Sequence, residues 1–123
     1  MTILHESFLA HSEEIIFRKF AGDVYVEDII QSWEELLKSR TLTPAHRGVI
    51  NMVGNCNLHL NPDSFETLMK YLKANPVLSR LKLAVVCDTA RNIVFPMMAE
   101  EEEHTLKVRA FTTIEAALKW VES

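Results

Sequence analysis

Two short apolar runs separated by a helical pattern constrain this chain more than any other feature. The runs are RGVINMV at 47–53 and LKLAVVCD at 81–88, and both are rich in the branched residues that suit buried strands. Between them lies an apolar stripe at helical spacing, formed by Phe65, Leu68, Met69 and Leu72. Strands that alternate with helices need crossover connections, so we expect a mostly parallel sheet covered by helices.

The N-terminal part predicts a hairpin followed by a helix. Residues 2–11 alternate weakly between apolar and polar, and residues 13–22 alternate more clearly, with Ile16, Arg18 and Phe20 on one side. We expect the second strand to end at Gly22 and Asp23. Residues 26–40 then carry apolar residues at three- and four-residue spacing and predict a helix with Trp33 on its inner side.

The remaining patterns complete the order β-β-α-β-α-β-α-β-α. Asn61 followed by Pro62 is a specific signal for the start of a helix. Residues 89–104 predict a helix interrupted by a proline, and residues 106–111 alternate as a strand. The last helix is predicted to open with a capping box of Thr112 and Glu115, and its inward stripe is Ile114, Ala117, Leu118 and Val121.

This order resembles that of the STAS family, and the C-terminal part is similar to its SpoIIAA-like, anti-sigma-factor-antagonist branch. The residues that carry the likeness are LKLAVVCD at 81–88 and VRAFTTIEAALKWV at 108–121, where a strand ending in Phe leads to a helix with Ala and Trp. The resemblance implies one α/β domain over 1–123, a mixed sheet with packed helices. It also implies a non-enzymatic protein-interaction module, with regulation as one role, in the bacterial cytoplasm. Its partner would be another protein or a second copy in a homodimer.

The resemblance also implies a candidate phosphorylation site. In anti-sigma-factor antagonists, the strand before the second helix leads into a short motif whose serine is phosphorylated and so switches partner binding. The corresponding stretch here is GNCNLHLNPDS at 54–64, which has neither the paired serines nor the glycine of that motif. Ser64, in Asp63–Ser64, is the nearest match.

Residues 54–64 are also a candidate ligand site, because ligands of open α/β sheets bind beyond strand ends. Asn55, Asn57 and His59 are the candidates, and the primary interpretation of this stretch is a plain loop. Cys56 and His59 have no second ligand pair, so no metal is expected. No nucleophile with a base and no phosphate loop is present, so neither catalysis nor a cofactor is predicted.

The composition also limits the classes of partner and the location that we expect for this protein. The 123 residues carry a net charge of −4. This charge argues against nucleic-acid binding, because there is no excess of Lys and Arg to bind the phosphates. The N-terminus does not read as a signal peptide, and no apolar run approaches a membrane span, so a cytoplasmic location is predicted. Two cysteines, Cys56 and Cys87, are interpreted as reduced, partly buried thiols.

The run IVFPMM at 93–98 is the main functional hypothesis from the sequence. Six apolar residues around a proline cannot all point inward from one helix face, so some should be exposed, as at binding surfaces. We expect this face to meet a protein partner, a second copy or a small apolar molecule such as a lipid, through Ile93, Val94, Phe95, Met97 and Met98. The competing interpretation is a broken helix that buries these side chains against the sheet.

Overall fold

A mixed sheet with helices on both faces forms the fold. The computed structural model describes residues 2–7, 15–43, 45–54, 56–87 and 106–123. The strands within these ranges are β1 (Thr2–Ser7), β2 (Ile15–Tyr25), β3 (Gly48–Met52), β4 (Cys56–His59), β5 (Lys82–Val86) and β6 (Lys107–Phe111). The helices are α1 (Val26–Lys38), α2 (Pro62–Ala74), a short 3-10 helix (Leu78–Arg80) and α3 (Ile114–Glu122).

The strand order is β1-β2-β3-β5-β6, with β4 paired to the far end of β2. β1 runs antiparallel to β2, and the other pairings are parallel. The predicted antiparallel edge and the parallel sheet are therefore confirmed. The helix predicted within 89–104 lies outside the described residues.

β2 is longer than the sequence pattern predicted. Its first half, from Ile15 to Lys19, pairs with β3, and its second half, from Gly22 to Tyr25, pairs with β4. Gly22 has a φ of 73° at the point where the partner changes, a left-handed conformation that glycine adopts without a steric cost. The expectation that the strand ends at Gly22 and Asp23 was wrong, because this glycine redirects the strand rather than ending it.

β4 occupies part of the stretch that was interpreted as a loop. Cys56 is buried and Leu58 is half-buried, whereas Asn57 and His59 are exposed, so the segment has the alternation of a strand with one covered face. The polar residues obscure this pattern in the sequence, since they also suit a turn. The loop interpretation was therefore wrong for residues 56–59.

Helices α1 and α2 cover one face of the sheet. Each helix places an apolar stripe against this face: Val26, Ile29, Trp33 and Leu36 from α1, and Phe65, Leu68, Met69 and Leu72 from α2. The stripes pack on Ile16, Phe20, Val49 and Leu83 of the sheet. The buried stripe predicted for the second helix is confirmed in full.

The start of α2 is also as predicted. Asn61 is the N-cap residue, and its side-chain oxygen accepts a hydrogen bond of 2.8 Å from the backbone N–H of Ser64. Ser64 Oγ in turn accepts a bond of 2.8 Å from the backbone N–H of Asn61. Pro62 is the first helical residue, where its missing N–H costs nothing.

Helix α3 covers the opposite face of the sheet. Its buried residues, Ala117 and Val121, pack with Ile15, Phe17, Ile50 and Ala84. The helix lies very close to the sheet at Gly48. A Cβ added there would lie 2.7 Å from Val121 Cγ1 and 2.6 Å from the Lys82 carbonyl oxygen. Lys82 Nζ donates to the Trp120 carbonyl at 2.9 Å, which ties the C-terminal end of α3 to β5.

Two details of α3 differ from the expectation. The N-cap is Thr113, whose Oγ1 accepts from the backbone N–H of Ala116 at 3.2 Å, and not Thr112. With the helix beginning one residue later than a Thr112 cap requires, Ile114 lies in the first turn and is 39% exposed. It is therefore not part of the inward stripe.

The two tryptophans should contribute unequally to stability. Trp33 is 3% exposed in the core, whereas Trp120 is half-buried and packs against Phe111. We expect Trp33→Ala to lower the free energy of unfolding by about 3–5 kcal/mol, the range for large-to-small core changes. Trp120→Ala, the matched control, should cost clearly less in the same urea titration. A larger loss for Trp120→Ala would contradict this assignment.

Candidate functional site

A buried arginine stands in the centre of the apolar face beneath α1 and α2. Arg18 is on β2, alternates with Ile16 and Phe20, and has no exposed surface. Its guanidinium carbon lies 4.1 Å from the ring centroid of Trp33 and 5.0 Å from that of Phe20. Such contacts between a cation and an aromatic face are favourable, and more so when water is excluded.

Two buried polar side chains hold the ends of this guanidinium. Arg18 Nη1 donates to Asn51 Oδ1 at 3.2 Å, and Arg18 Nη2 donates to Ser32 Oγ. Asn51 Nδ2 donates onward to the Ala84 carbonyl at 3.0 Å, and Ser32 Oγ donates to the Ile29 carbonyl at 2.7 Å. The network therefore connects β2 with β3, β5 and α1 and fixes the position of the charge.

Within the described part of the chain, the network leaves the charge of Arg18 without a counterion. Arg18 Nε has no hydrogen-bond partner, and none of the described Asp or Glu side chains forms an ion pair with the guanidinium. Burial lowers the pKa of Arg18 from its ordinary 12.5 to about 9, so the side chain remains charged at neutral pH. Buried charges are ordinarily paired, because an unpaired one costs several kcal/mol.

An apolar cavity of about 90 Å³ lies beside this arginine. Residues of β2, β3, β5 and β6 form its floor and residues of α1 and α2 form its roof, with Leu58 and Leu60 at one side. Among the described residues that line it, Arg18 is the only charged one and Asn51 the only other polar one. The cavity therefore combines a largely apolar wall with one buried cation.

A second polar cluster lies on the exposed side of the β2–β4 ladder. Asp23 Oδ1 accepts from Asn57 Nδ2 at 3.2 Å and lies 2.9 Å from His59 Nε2. The His59 ring stacks on Tyr25, with centroids 4.5 Å apart. Hydrogen bonds from His59 and Asn57 hold the pKa of the Asp23 carboxyl below its ordinary value. These groups satisfy one another across the ladder, which is the role expected of cross-strand pairs.

The structure thus brings two of the three loop candidates together. Asn57 and His59 meet at Asp23, which the sequence had suggested only as a strand end. Asn55 lies outside the described residues. Cys56 does not join His59: its Sγ donates to the Val53 carbonyl at 3.3 Å inside the core. Across the described ranges, no three His, Cys, Asp or Glu side chains assemble as a metal site.

Comparison with known proteins bears on this architecture. No protein-family profile and no curated protein matches the chain. A solved structure does: an uncharacterised protein of the DUF3478 family, with a SpoIIAA-like fold, from Shewanella loihica PV-4. The two chains are 16% identical, with a TM-score of 0.62 over 97% of this chain and 93% of that one. This chain has a SpoIIAA-like fold. The resemblance seen in the sequence is confirmed for the fold, which is what a likeness at this identity shows.

Within the SpoIIAA-like fold, Ser64 is the third residue of α2, as the N-cap assignment required. Its side chain is half-exposed, and its hydroxyl accepts from the backbone N–H of Asn61 and donates to the carbonyl of the same residue at 3.2 Å. These bonds give Ser64 a structural role in the helix start. Phosphorylation of Ser64 stays a prediction.

The 93–98 face lies outside the described residues, so its exposure and its contacts stay predictions too. Among the helices that are described, none is long and apolar enough to cross a membrane.

Arg18 is the functional candidate that sequence reasoning missed. The alternation in 13–22 had placed it on the same side as Ile16 and Phe20, which are core residues. A charged residue at an inward position of a buried strand is unusual, so this signal was available. The sequence could not reveal Ser32 and Asn51 as its partners, because they lie 14 and 33 residues away.

The thiols should be unreactive in the native protein. Cys56 and Cys87 are buried and form no disulfide, and burial, with a smaller contribution from Cys87, raises the pKa of Cys56 to about 11. At pH 8 about one Cys56 thiol in a thousand would then be ionised. We expect Ellman's reagent to label neither cysteine in native buffer and both in guanidinium chloride. Rapid native labelling of a Cys87→Ala variant would contradict this account of Cys56.

Proposed function

We propose that this SpoIIAA-like chain is a non-enzymatic binding protein whose cavity beside Arg18 holds a small apolar ligand. The observation that carries the proposal is the composition of the cavity wall, which is apolar except for Arg18 and Asn51. Covering apolar walls of this kind with an apolar molecule removes them from water, which is favourable. The sequence predicted an apolar-ligand site at residues 93–98. We propose instead that the ligand binds in the space between the sheet and α2.

The cavity volume limits the size of the ligand. At about 90 Å³ the space is smaller than the roughly 150 Å³ of an engineered cavity that admits benzene. Leu58 and Leu60 at its side are half-buried, so a ligand can extend past them toward the surface. We therefore propose a short aliphatic or slender aromatic molecule, or the end of a longer chain.

A neutral probe tests this proposal. We expect 1-hexanol to bind saturably and to shift the amide NMR signals of residues that line the cavity. Val85→Phe, which adds a ring to the wall, should abolish binding because it fills the space. The matched control is Val86→Phe, since the next residue of β5 packs on the opposite face. Binding that survives Val85→Phe but not Val86→Phe would place the ligand elsewhere.

A second candidate is the protein-interaction module implied by the STAS resemblance, with a protein partner or a second copy in the bacterial cytoplasm. The observation that favours it is the placement of Ser64 at the start of α2. A phosphate there would lie at the positive end of the helix, where a negative charge is favourable. The proposed contact surface consists of the apolar residues Ile93, Val94, Phe95, Met97 and Met98.

A double substitution tests the module. If 93–98 is an association face, Phe95→Ser with Met98→Ser should leave the urea midpoint nearly unchanged and weaken self-association in sedimentation velocity. Phe65→Ser with Leu68→Ser, in the α2 core, is the matched control and should lower the midpoint strongly. A double variant that is as unstable as this control, with unchanged association, would show that 93–98 is ordinary core.

A further inference from the structure

Arg18 has no counterion among the described residues, and this feature points to the chemistry of the ligand. We propose that the cavity beside Arg18 binds small amphiphilic carboxylates, with the carboxylate on the edge of the guanidinium and the hydrocarbon part in the apolar space. This inference rests on the proposed binding function and specifies its ligand class. Its basis is the combination of three observations: a fully buried cation, an unsatisfied Nε–H and an adjoining apolar cavity.

The aromatic neighbours of Arg18 contact its guanidinium group. The guanidinium carbon lies over the Trp33 ring, 4.1 Å from its centroid, and over the Phe20 ring, 5.0 Å from its centroid. The hydrogen-bond donors of a guanidinium point outward in its own plane. A planar carboxylate matches two such donors in one plane, and these paired bonds are among the stronger ones in proteins.

The donors of Arg18 are only partly used by the protein. Asn51 and Ser32 each take one N–H from the two terminal nitrogens, and each of those nitrogens carries a second hydrogen. Nε–H has no partner among the described residues. An anionic ligand would satisfy these donors and supply the missing counterion at once, whereas a neutral ligand would satisfy a donor and leave the charge uncompensated.

The apolar wall of the cavity favours a hydrocarbon part in the ligand. Beyond Asn51, its described wall consists of aliphatic and aromatic side chains from the sheet and from α1 and α2. A bare inorganic anion would leave this surface unfilled, and a neutral hydrocarbon would leave Arg18 unpaired. A short acyl acid uses both parts of the site.

Two probes of the same shape test the inference. Hexanoate and hexanamide differ in the charge of the head group, and both can be titrated at pH 7 with cavity-lining amides as the NMR readout. We expect hexanoate to bind at least about 10-fold more tightly than hexanamide, the size of effect that a hydrogen bond to a charged group gives. Equal affinities would overturn the inference while leaving the binding function intact. If hexanoate, hexanamide and 1-hexanol all fail to bind, the proposed function fails with it.

Substitutions of Arg18 and Arg80 test whether Arg18 causes the preference for hexanoate over hexanamide. Arg18→Met should remove the preference for hexanoate and leave binding of hexanamide within about a factor of three. Arg80→Met is the matched control: it removes the same charge from an exposed residue, and the preference should persist. A preference that persists in folded Arg18→Met overturns the inference. Should Arg18→Met not fold, Val85→Phe decides, since hexanoate binding that survives a filled cavity also overturns it.

Discussion

The pairing of β2 on both of its edges is the constraint on which the rest of this structure depends. The strand is eleven residues long and pairs with β1 and β3 through its first half and with β4 through its second. Its two faces contribute to two separate cores, with Ile15 and Phe17 beneath α3 and Ile16 and Phe20 beneath α1 and α2. A shift of register by one residue would exchange these sets and place Arg18 under α3.

The register of β2 places a charge where the fold itself gains little from one. A buried ion without a counterion carries a desolvation cost of several kcal/mol, and an apolar residue of similar volume is often as stable or more so. The ring contacts with Trp33 and Phe20 and the bonds to Asn51 and Ser32 offset part of this cost. Local strain or unfavourable burial is typical of functional positions, which is why Arg18 is more informative about function than the other polar residues.

The other chemically active side chains of the described ranges have local explanations. Asp23, Asn57 and His59 bond to one another on the outer side of the β2–β4 ladder, where they join two strands. Cys56 is buried with a raised pKa and a hydrogen bond to the backbone. Arg18, by contrast, has no such local explanation, and our proposal of a binding function therefore starts from it.

Local patterns were sufficient for most of the architecture. The alternation of strands and helices, the apolar stripe of α2 and the Asn61–Pro62 start are properties of neighbouring residues, so they could be read without knowing the fold. The predictions were wrong where one local pattern was compatible with two structures. Gly22 suggested a strand end, and the polar residues of 56–59 suggested a loop, although both belong to the β2–β4 pairing.

The sequence by itself thus determined the order of the elements, the faces they bury and the presence of a charged residue on an inward position of β2. Only the tertiary structure decided that Ser32, Trp33 and Asn51 meet at Arg18, that no described carboxylate does, and that a cavity lies beside it. The reason is physical. Periodicity reflects contacts within one element, whereas a binding site depends on where separate elements pack and on what their packing leaves unfilled.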